Sequence, residues 1–299
     1  MRALITGGGG FVGHWLAAHL REEGDHVVAI DREVEITDPG AVADAVSTAA
    51  PDAIYHLAAL SHVGRSWGAP LEVLRVNVLG TAAVLEAAVH SGRGPRVLVT
   101  SSAEVYGAVT DPALLPLDET SPTAPLTPYA ASKLAAEAVV AQAYHGHGLP
   151  VVTVRPFNHI GPGQSDQFAV SALARRIVDA EARGATSIPV GNLSARRDFT
   201  DVRDVVRAYR LLVVSGDPGA VYNVCSGTDV AIAEIAEVLQ GLAGRSVELR
   251  TDPDLVRPVE VPVLRGDPAR LRAATGWAPA IPLEQTLADV LASWRAAAV

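Results

Sequence analysis

The opening of the chain reads as a strand, a glycine loop and a helix, and no other stretch restricts the possible fold so strongly. Ala3-Leu4-Ile5-Thr6 is a short apolar run, Gly7-Gly8-Gly9-Gly10-Phe11-Val12-Gly13 follows it, and His14-Trp15-Leu16-Ala17-Ala18-His19-Leu20 has helical apolar spacing. Glycines stand at Gly7-x-x-Gly10-x-x-Gly13. They permit a tight turn and let the backbone approach a diphosphate, and the N–H groups that open the next helix are donors for the anion. A plain structural turn would satisfy the same spacing, but its place between strand and helix favours a ligand. The loop predicts a dinucleotide site that includes Gly7, Gly10, Phe11, Val12 and Gly13.

A second apolar strand, His26-Val27-Val28-Ala29-Ile30, ends in Asp31. A carboxylate there suits the two ribose hydroxyls of NAD and repels the 2′-phosphate of NADP, whereas Arg32 beside it could hold that phosphate. NAD(H) is therefore favoured and NADP(H) stays open. Further strands are expected at Ala53-Ile54-Tyr55-His56-Leu57, Arg96-Val97-Leu98-Val99-Thr100 and Val151-Val152-Thr153-Val154, with Ala-rich helical stretches between them. Strand and helix in alternation imply an α/β protein, a Rossmann-type doubly wound parallel sheet with helices on both faces. The link from Asp31 to the third strand is short, and it takes Ile36 past the adenine.

The net charge of −9 offers no basic surface for nucleic acid or anionic lipid, and the arginines are interspersed with acids. No apolar run approaches the ~20 residues that span a bilayer, and no signal region is apparent, so neither nucleic acid nor membrane is an expected partner. Cys225 is the single cysteine, which excludes an intrachain disulfide and a zinc-finger type of metal site. A soluble protein of the reducing cytoplasm is expected.

Lys133 is the only lysine; every other cation among the 24 lysines and arginines is an arginine. It lies four residues after Tyr129 in Tyr129-Ala-Ala-Ser-Lys133, so on a helix the two side chains share a face. An ammonium there would favour the phenolate and lower the phenol's pKa, making a tuned proton donor or acceptor. A surviving surface lysine is the plain alternative.

Four pieces then follow in chain order: the glycine loop, His56-Leu57-Ala58-Ala59, Ser101-Ser102-Ala103-Glu104-Val105-Tyr106-Gly107, and Tyr129-x-x-x-Lys133. Together they resemble the extended short-chain dehydrogenase/reductase family (the NAD-dependent epimerase/dehydratases), which acts on nucleotide sugars. The resemblance covers nearly the whole chain. It implies that Ser102 donates to the substrate oxygen, that Tyr129 is the acid/base, and that Lys133 serves both Tyr129 and the nicotinamide ribose. It also implies that Leu57, Ala58 and Ala59 border the cofactor and that Asn77 completes the active-site network. Asn158, in the loop Arg155-Pro156-Phe157-Asn158-His159-Ile160-Gly161-Pro162-Gly163-Gln164, matches an asparagine that touches the sugar diphosphate. Arg197 and Arg257 match arginines on the diphosphate and its nucleoside side, where guanidinium forks suit phosphate oxygens.

Shorter matches, Phe157 to Gln164, Arg197-Asp198-Phe199-Thr200-Asp201-Val202-Arg203-Asp204, Leu264-Arg265-Gly266-Asp267 and Ala274-Thr275-Gly276-Trp277, are similar to stretches in the GDP-4-keto-6-deoxy-D-mannose reductase branch. They are less similar to the GDP-mannose 4,6-dehydratases. Leu60, where that branch often carries lysine, and Cys225, where glycine is usual, are departures. Glu104 stands where a dehydratase base would sit, but Ala103 occupies the place of an acid for the leaving hydroxyl, and alanine has no proton to give. The expected reaction is NAD(P)H-dependent reduction of the C4 ketone of a nucleotide-diphosphate 4-keto-6-deoxy sugar, GDP-4-keto-6-deoxy-D-mannose first, with Glu104 orienting the sugar. A 4-epimerase or 4,6-dehydratase with tightly bound NAD, and a non-catalytic NAD-binding regulator, are the alternatives.

The expected domains are residues 1–154, with a returning segment at about 199–223, for the cofactor, and residues 155–198 and 224–299 as a smaller α/β substrate-binding domain. Ala-rich helices at Leu79 to Val89 and Leu134 to Tyr144 imply, through the resemblance, a homodimer.

Overall fold

The computed structural model describes residues 1–109, 111–255 and 261–298. Its strands are β1 (Arg2–Thr6), β2 (His26–Ile30), β3 (Ala53–His56), β4 (Arg96–Thr100), β5 (Val151–Pro156), β6 (Asn158–Ile160), β7 (Ser187–Val190), β8 (Arg196–Asp201), β9 (Val221–Val224), β10 (Asp229–Ala231), β11 (Glu248–Thr251) and β12 (Val263–Leu264). The helices are α1 (Phe11–Glu22), α2 (Pro39–Ala49), α3 (Val63–Ser66), α4 (Pro70–Leu74), α5 (Gly80–His90), α6 (Pro128–His147), α7 (Ala169–Arg183), α8 (Val202–Ser215), α9 (Ile232–Ala243), α10 (Ala269–Thr275) and α11 (Leu283–Ala297). A π-helical turn, Arg75–Leu79, joins α4 to α5.

Six parallel strands in the order β2-β1-β3-β4-β5-β9 form the main sheet. Successive strand residues point to opposite faces, so alternate side chains feed two cores. Ile5, Tyr55 and Leu98 enter the core shared with α1 and α8, where Leu16, Leu20, Val205, Tyr209 and Leu212 are buried. Leu4, Ile54, Val97 and Val99 enter the opposite core with Val42, Val46, Val84, Leu85 and Val140 of α2, α5 and α6. Burial on both faces accounts for the continuous apolar runs of β3 and β4. The edge strand β2 is only half-buried.

After β5 the chain builds a smaller α/β layer. β6, β10 and β12 all pair with β8, β7 pairs with β11, and α7, α9 and α11 share a core around Leu173, Ile177, Ile235, Leu239 and Leu287. The chain returns to the main sheet through α8 and β9, and Leu271 and Trp277 near α10 are buried in the α1/α8 core.

Three buried aspartates of Arg197-Asp198-Phe199-Thr200-Asp201-Val202-Arg203-Asp204 fasten these returns. Asp198 accepts from Ser226 N–H at 2.8 Å, Gly227 N–H at 2.9 Å and Gly266 N–H at 3.3 Å. Asp201 accepts from the Thr286 hydroxyl at 2.7 Å and pairs with Arg203. Asp204 accepts from Ala280 and Ile281 N–H at 2.8 and 2.9 Å.

One expectation needs correction. The continuous helix Pro70–His90, 21 residues, is long and apolar enough to cross a membrane by length and composition. Its sequence hides this because Glu72, Arg75 and Asn77 interrupt the apolar run; half of the relevant window is buried inside the protein, where α5 packs on α2 and α6.

Candidate active site

A cleft of about 990 Å³ opens at the carboxyl ends of β1 and β3, where the strand order reverses. Gly7 has φ +73°, and a Cβ there would lie 2.8 Å from Ala58 N. A Cβ at Gly13 would lie 2.3 Å from Gly7 O. Only glycine lets the loop, the start of α1 and the 57–59 backbone come so close. Asp31 reaches over the loop, since a Cβ at Gly9 would sit 2.3 Å from its Oδ2. Gly10, Phe11, Val12, Arg32, Ile36, Leu57, Ala58 and Ala59 line the same cleft. This cradle, with its helix N-terminus and a carboxylate at the end of β2, fits a nicotinamide dinucleotide.

The catalytic candidates meet further along the cleft. Thr127 caps α6 by accepting from Ala130 N–H at 3.1 Å, and Pro128 opens its first turn, which fixes Tyr129 and Lys133 one turn apart on the buried face. Ser102 follows β4 in extended backbone, and its hydroxyl accepts from Glu104 N–H at 3.2 Å. Ser102, Glu104, Tyr129 and Lys133 all line the cleft.

Tyr129 departs from the expected tuning. Burial pushes its pKa up to about 12; a hydrogen bond with Ser102 works the other way and the Glu104 charge adds to burial. Lys133 does not lower it, because its ammonium stands 6.0 Å from the ring centroid and donates to the Thr100 carbonyl at 2.7 Å. Burial brings the Lys133 pKa down to about 8, against an opposing pull from Glu137. The phenol is therefore protonated at neutral pH, poised to donate.

Asn77 is not brought into the cleft. Its carbonyl accepts from Leu60 N–H at 2.8 Å, and its amide donates to Leu60 O at 3.2 Å and to Ser132 Oγ at 2.9 Å. Ser132 in turn donates to Tyr129 O at 2.7 Å. Asn77 thus ties the Leu60 loop to the helix that carries Tyr129, one layer behind the cofactor wall.

Beside it runs a chain that the sequence reading missed. Thr81 donates to Asn77 O at 2.7 Å, so its oxygen must accept from His56 Nε2–H at 3.0 Å. His56 Nδ1 then accepts from Thr6, 2.7 Å away, and Thr6 Oγ1 receives the Ala58 N–H at 3.3 Å. Burial, with the Lys133 charge added, pushes the His56 pKa down to about 3 and keeps the ring neutral. Its place in His56-Leu57-Ala58-Ala59 was the only signal for it. A second omission is the buried ion pair of Arg155 with Glu137 at 2.7 Å, one turn beyond Lys133 on α6.

On the opposite wall Asn158 lines the cleft, beside Phe11 and His159, whose rings stack with centroids 6.3 Å apart. Arg197 does not line it: the residue is buried in β8, and its guanidinium donates to Arg196 O at 2.8 Å. Its register sets it beside Leu264 of β12, which does line the cleft. Arg257 lies outside the described residues.

A doubly wound sheet whose glycine loop, serine, tyrosine and lysine share one cleft defines a short-chain dehydrogenase/reductase of the extended type. Within it, the chain belongs to the GDP-mannose 4,6 dehydratase family, whose model matches residues 32–290. It is 38% identical to the GDP-6-deoxy-D-mannose reductase of Pseudomonas aeruginosa over 98% of this chain and 97% of that one. It is 31% identical to the dTDP-glucose 4,6-dehydratase of Streptomyces niveus over 99% of this chain and 93% of that one. Among solved structures, RMD from Pseudomonas aeruginosa complexed with NADPH superposes with a TM-score of 0.92 at 38% identity, covering 99% of this chain and 100% of that one. The UDP-glucose 4-epimerase of Thermus thermophilus, complexed with NAD, gives 0.88 at 28% identity, again covering 99% and 100%.

Proposed function

We propose that this protein reduces the C4 ketone of a nucleotide-diphosphate 4-keto-6-deoxy sugar, with GDP-4-keto-6-deoxy-D-mannose as the first candidate. The carrying observation is Ala103, 2% exposed between Ser102 and Glu104 in the cleft wall. Elimination of water from C6 needs a proton donor for the leaving hydroxyl, and a methyl group supplies none. Reduction needs one proton at one oxygen.

Reduced nicotinamide dinucleotide, when bound, supplies the hydride. Ser102 holds the ketone oxygen, Tyr129 protonates the developing alkoxide, and the Lys133 charge stabilises that anion while its ammonium engages the cofactor ribose. Glu104 orients the sugar, and Asn158 contacts the diphosphate. Gly7, Gly10, Gly13 and the Leu57-Ala58-Ala59 backbone cradle the dinucleotide, and Asp31 favours NADH, although the Pseudomonas relative was solved with NADPH.

The cofactor side comprises residues 1–154 with the return through α8 and β9, and residues 155–198 and 224–299 hold the sugar nucleotide apart from α10 and Trp277, which pack in the α1/α8 core. A homodimer through α5 and α6 and a cytoplasmic location complete the proposal. The test is to mix the purified protein with GDP-4-keto-6-deoxy-D-mannose and NADH or NADPH and follow nicotinamide absorbance. Stoichiometric consumption is expected. Tightly retained NAD, with turnover of GDP-mannose or of a 4-hydroxy sugar and no net consumption, would establish a dehydratase or epimerase instead.

A further inference from the structure

Two rings from opposite halves of the molecule meet across the cleft. His62 lies in the loop after β3 and Phe168 at the start of α7; their centroids are 6.2 Å apart with planes tilted by 48°, within the range of attractive ring pairs. Both line the cleft that contains Ser102, Glu104 and Tyr129. Neither is loosely held. His62 Nδ1 accepts from Arg65 N–H at 3.0 Å, while Phe168 O accepts from Ala172 N–H at 2.8 Å and Phe168 N–H donates to Ser165 O at 3.2 Å. Leu60, two residues before His62, lines the same cleft and is 42% exposed, although Asn77 binds both of its backbone polar groups.

A hexose fixes what such a wall meets. The diphosphate is at C1 and the reacting ketone at C4, across the ring; C6 is two bonds from C4. With C4 at Ser102 and Tyr129, the C5–C6 edge lies beside the reacting centre. We propose that Phe168, held against His62 and joined by Leu60, is the specificity-determining residue for that edge, an apolar wall that takes a methyl group and disfavours a hydroxymethyl group. This rests on the reductase reading of the same site. Neither Phe168 nor Leu60 can hydrogen-bond a hydroxyl through its side chain, and a hydroxyl buried without a partner is penalised.

Calorimetry on the cofactor-loaded enzyme tests the proposal with GDP-6-deoxy-D-mannose and GDP-mannose as ligands. The wild type should prefer the deoxy sugar by about 100-fold, the discrimination typical of an apolar pocket against an added hydroxyl. Phe168→Ala should cut the preference to about tenfold or less by weakening the deoxy ligand, Phe168→Leu should keep most of it, and NADH affinity should stay unchanged in both. Leu60→Gln, which adds an amide to the wall, should improve GDP-mannose relative to the deoxy sugar and serves if the Phe168 variants fail to fold. A wild-type ratio near one, or a ratio unmoved in both Phe168→Ala and Leu60→Gln, overturns the proposal while ketone reduction still supports the reductase reading. A wild type that neither binds nor reduces any sugar nucleotide overturns both.

Discussion

Tyr129 can protonate an alkoxide only while it carries its own proton, and burial secures that throughout the working pH range. Tyr129→Phe should therefore lower kcat by about 10²- to 10⁴-fold with NADH affinity unchanged, measured by steady-state kinetics and fluorescence titration. Lys133 sets the pH limit. Its ammonium is charged below its lowered pKa of about 8 and neutral above it, so kcat/KM should be flat on the acid side and fall as pH rises through about 8. A pH profile of the free enzyme's kcat/KM checks the sign. These residues were legible in sequence because their chemistry depends on short spacings, four residues from Tyr129 to Lys133 and one from Ser102 to Ala103. Asn77 was legible as a member of the network but its partners were not, since Leu60 and Ser132 lie 17 and 55 residues away and no local pattern records them.

At the scale of elements, the strands of the main sheet were readable because parallel strands buried on both faces leave unbroken apolar runs between glycine-rich and alanine-rich stretches. The aspartate clamps were not readable as clamps. In Arg197-Asp198-Phe199-Thr200-Asp201-Val202-Arg203-Asp204 the motif match drew attention to the arginine, whereas the carboxylates hold distant turns in place. Asp204 is 2% exposed and satisfies the Ala280 and Ile281 N–H groups ahead of α11. Asp204→Ala leaves both donors unpaired and should destabilise the protein by about 2–4 kcal/mol in chemical denaturation. Thr127→Ala, which removes the cap of α6, should cost about 0.5–2 kcal/mol and lower kcat by loosening Tyr129, a loss read from denaturation and kinetics together.

For the whole molecule, two halves built on separate cores bring the glycine loop and Asp31 to one end of a single cleft and Ser102, Tyr129 and Lys133 to the other. At that scale the sequence showed the Rossmann layer; it could not show that the Arg197 guanidinium donates to Arg196 O within β8, because that contact depends on how β8 is packed between β10 and β12. Asp31 should make NADH preferred over NADPH by about tenfold in kcat/KM, equivalent to ~1.4 kcal/mol of repulsion, and Asp31→Ala should narrow that ratio in the same assay. Reduction at C4 is tested most directly by incubating the enzyme with GDP-4-keto-6-deoxy-D-mannose and NADH deuterated at the transferred position, then locating the label in the product by NMR. The expected result is deuterium at sugar C4, with none gained from solvent at C5 and one cofactor oxidised per sugar. An unlabelled C4, or conversion of GDP-mannose with solvent hydrogen entering at C5 and no net cofactor consumption, would contradict it.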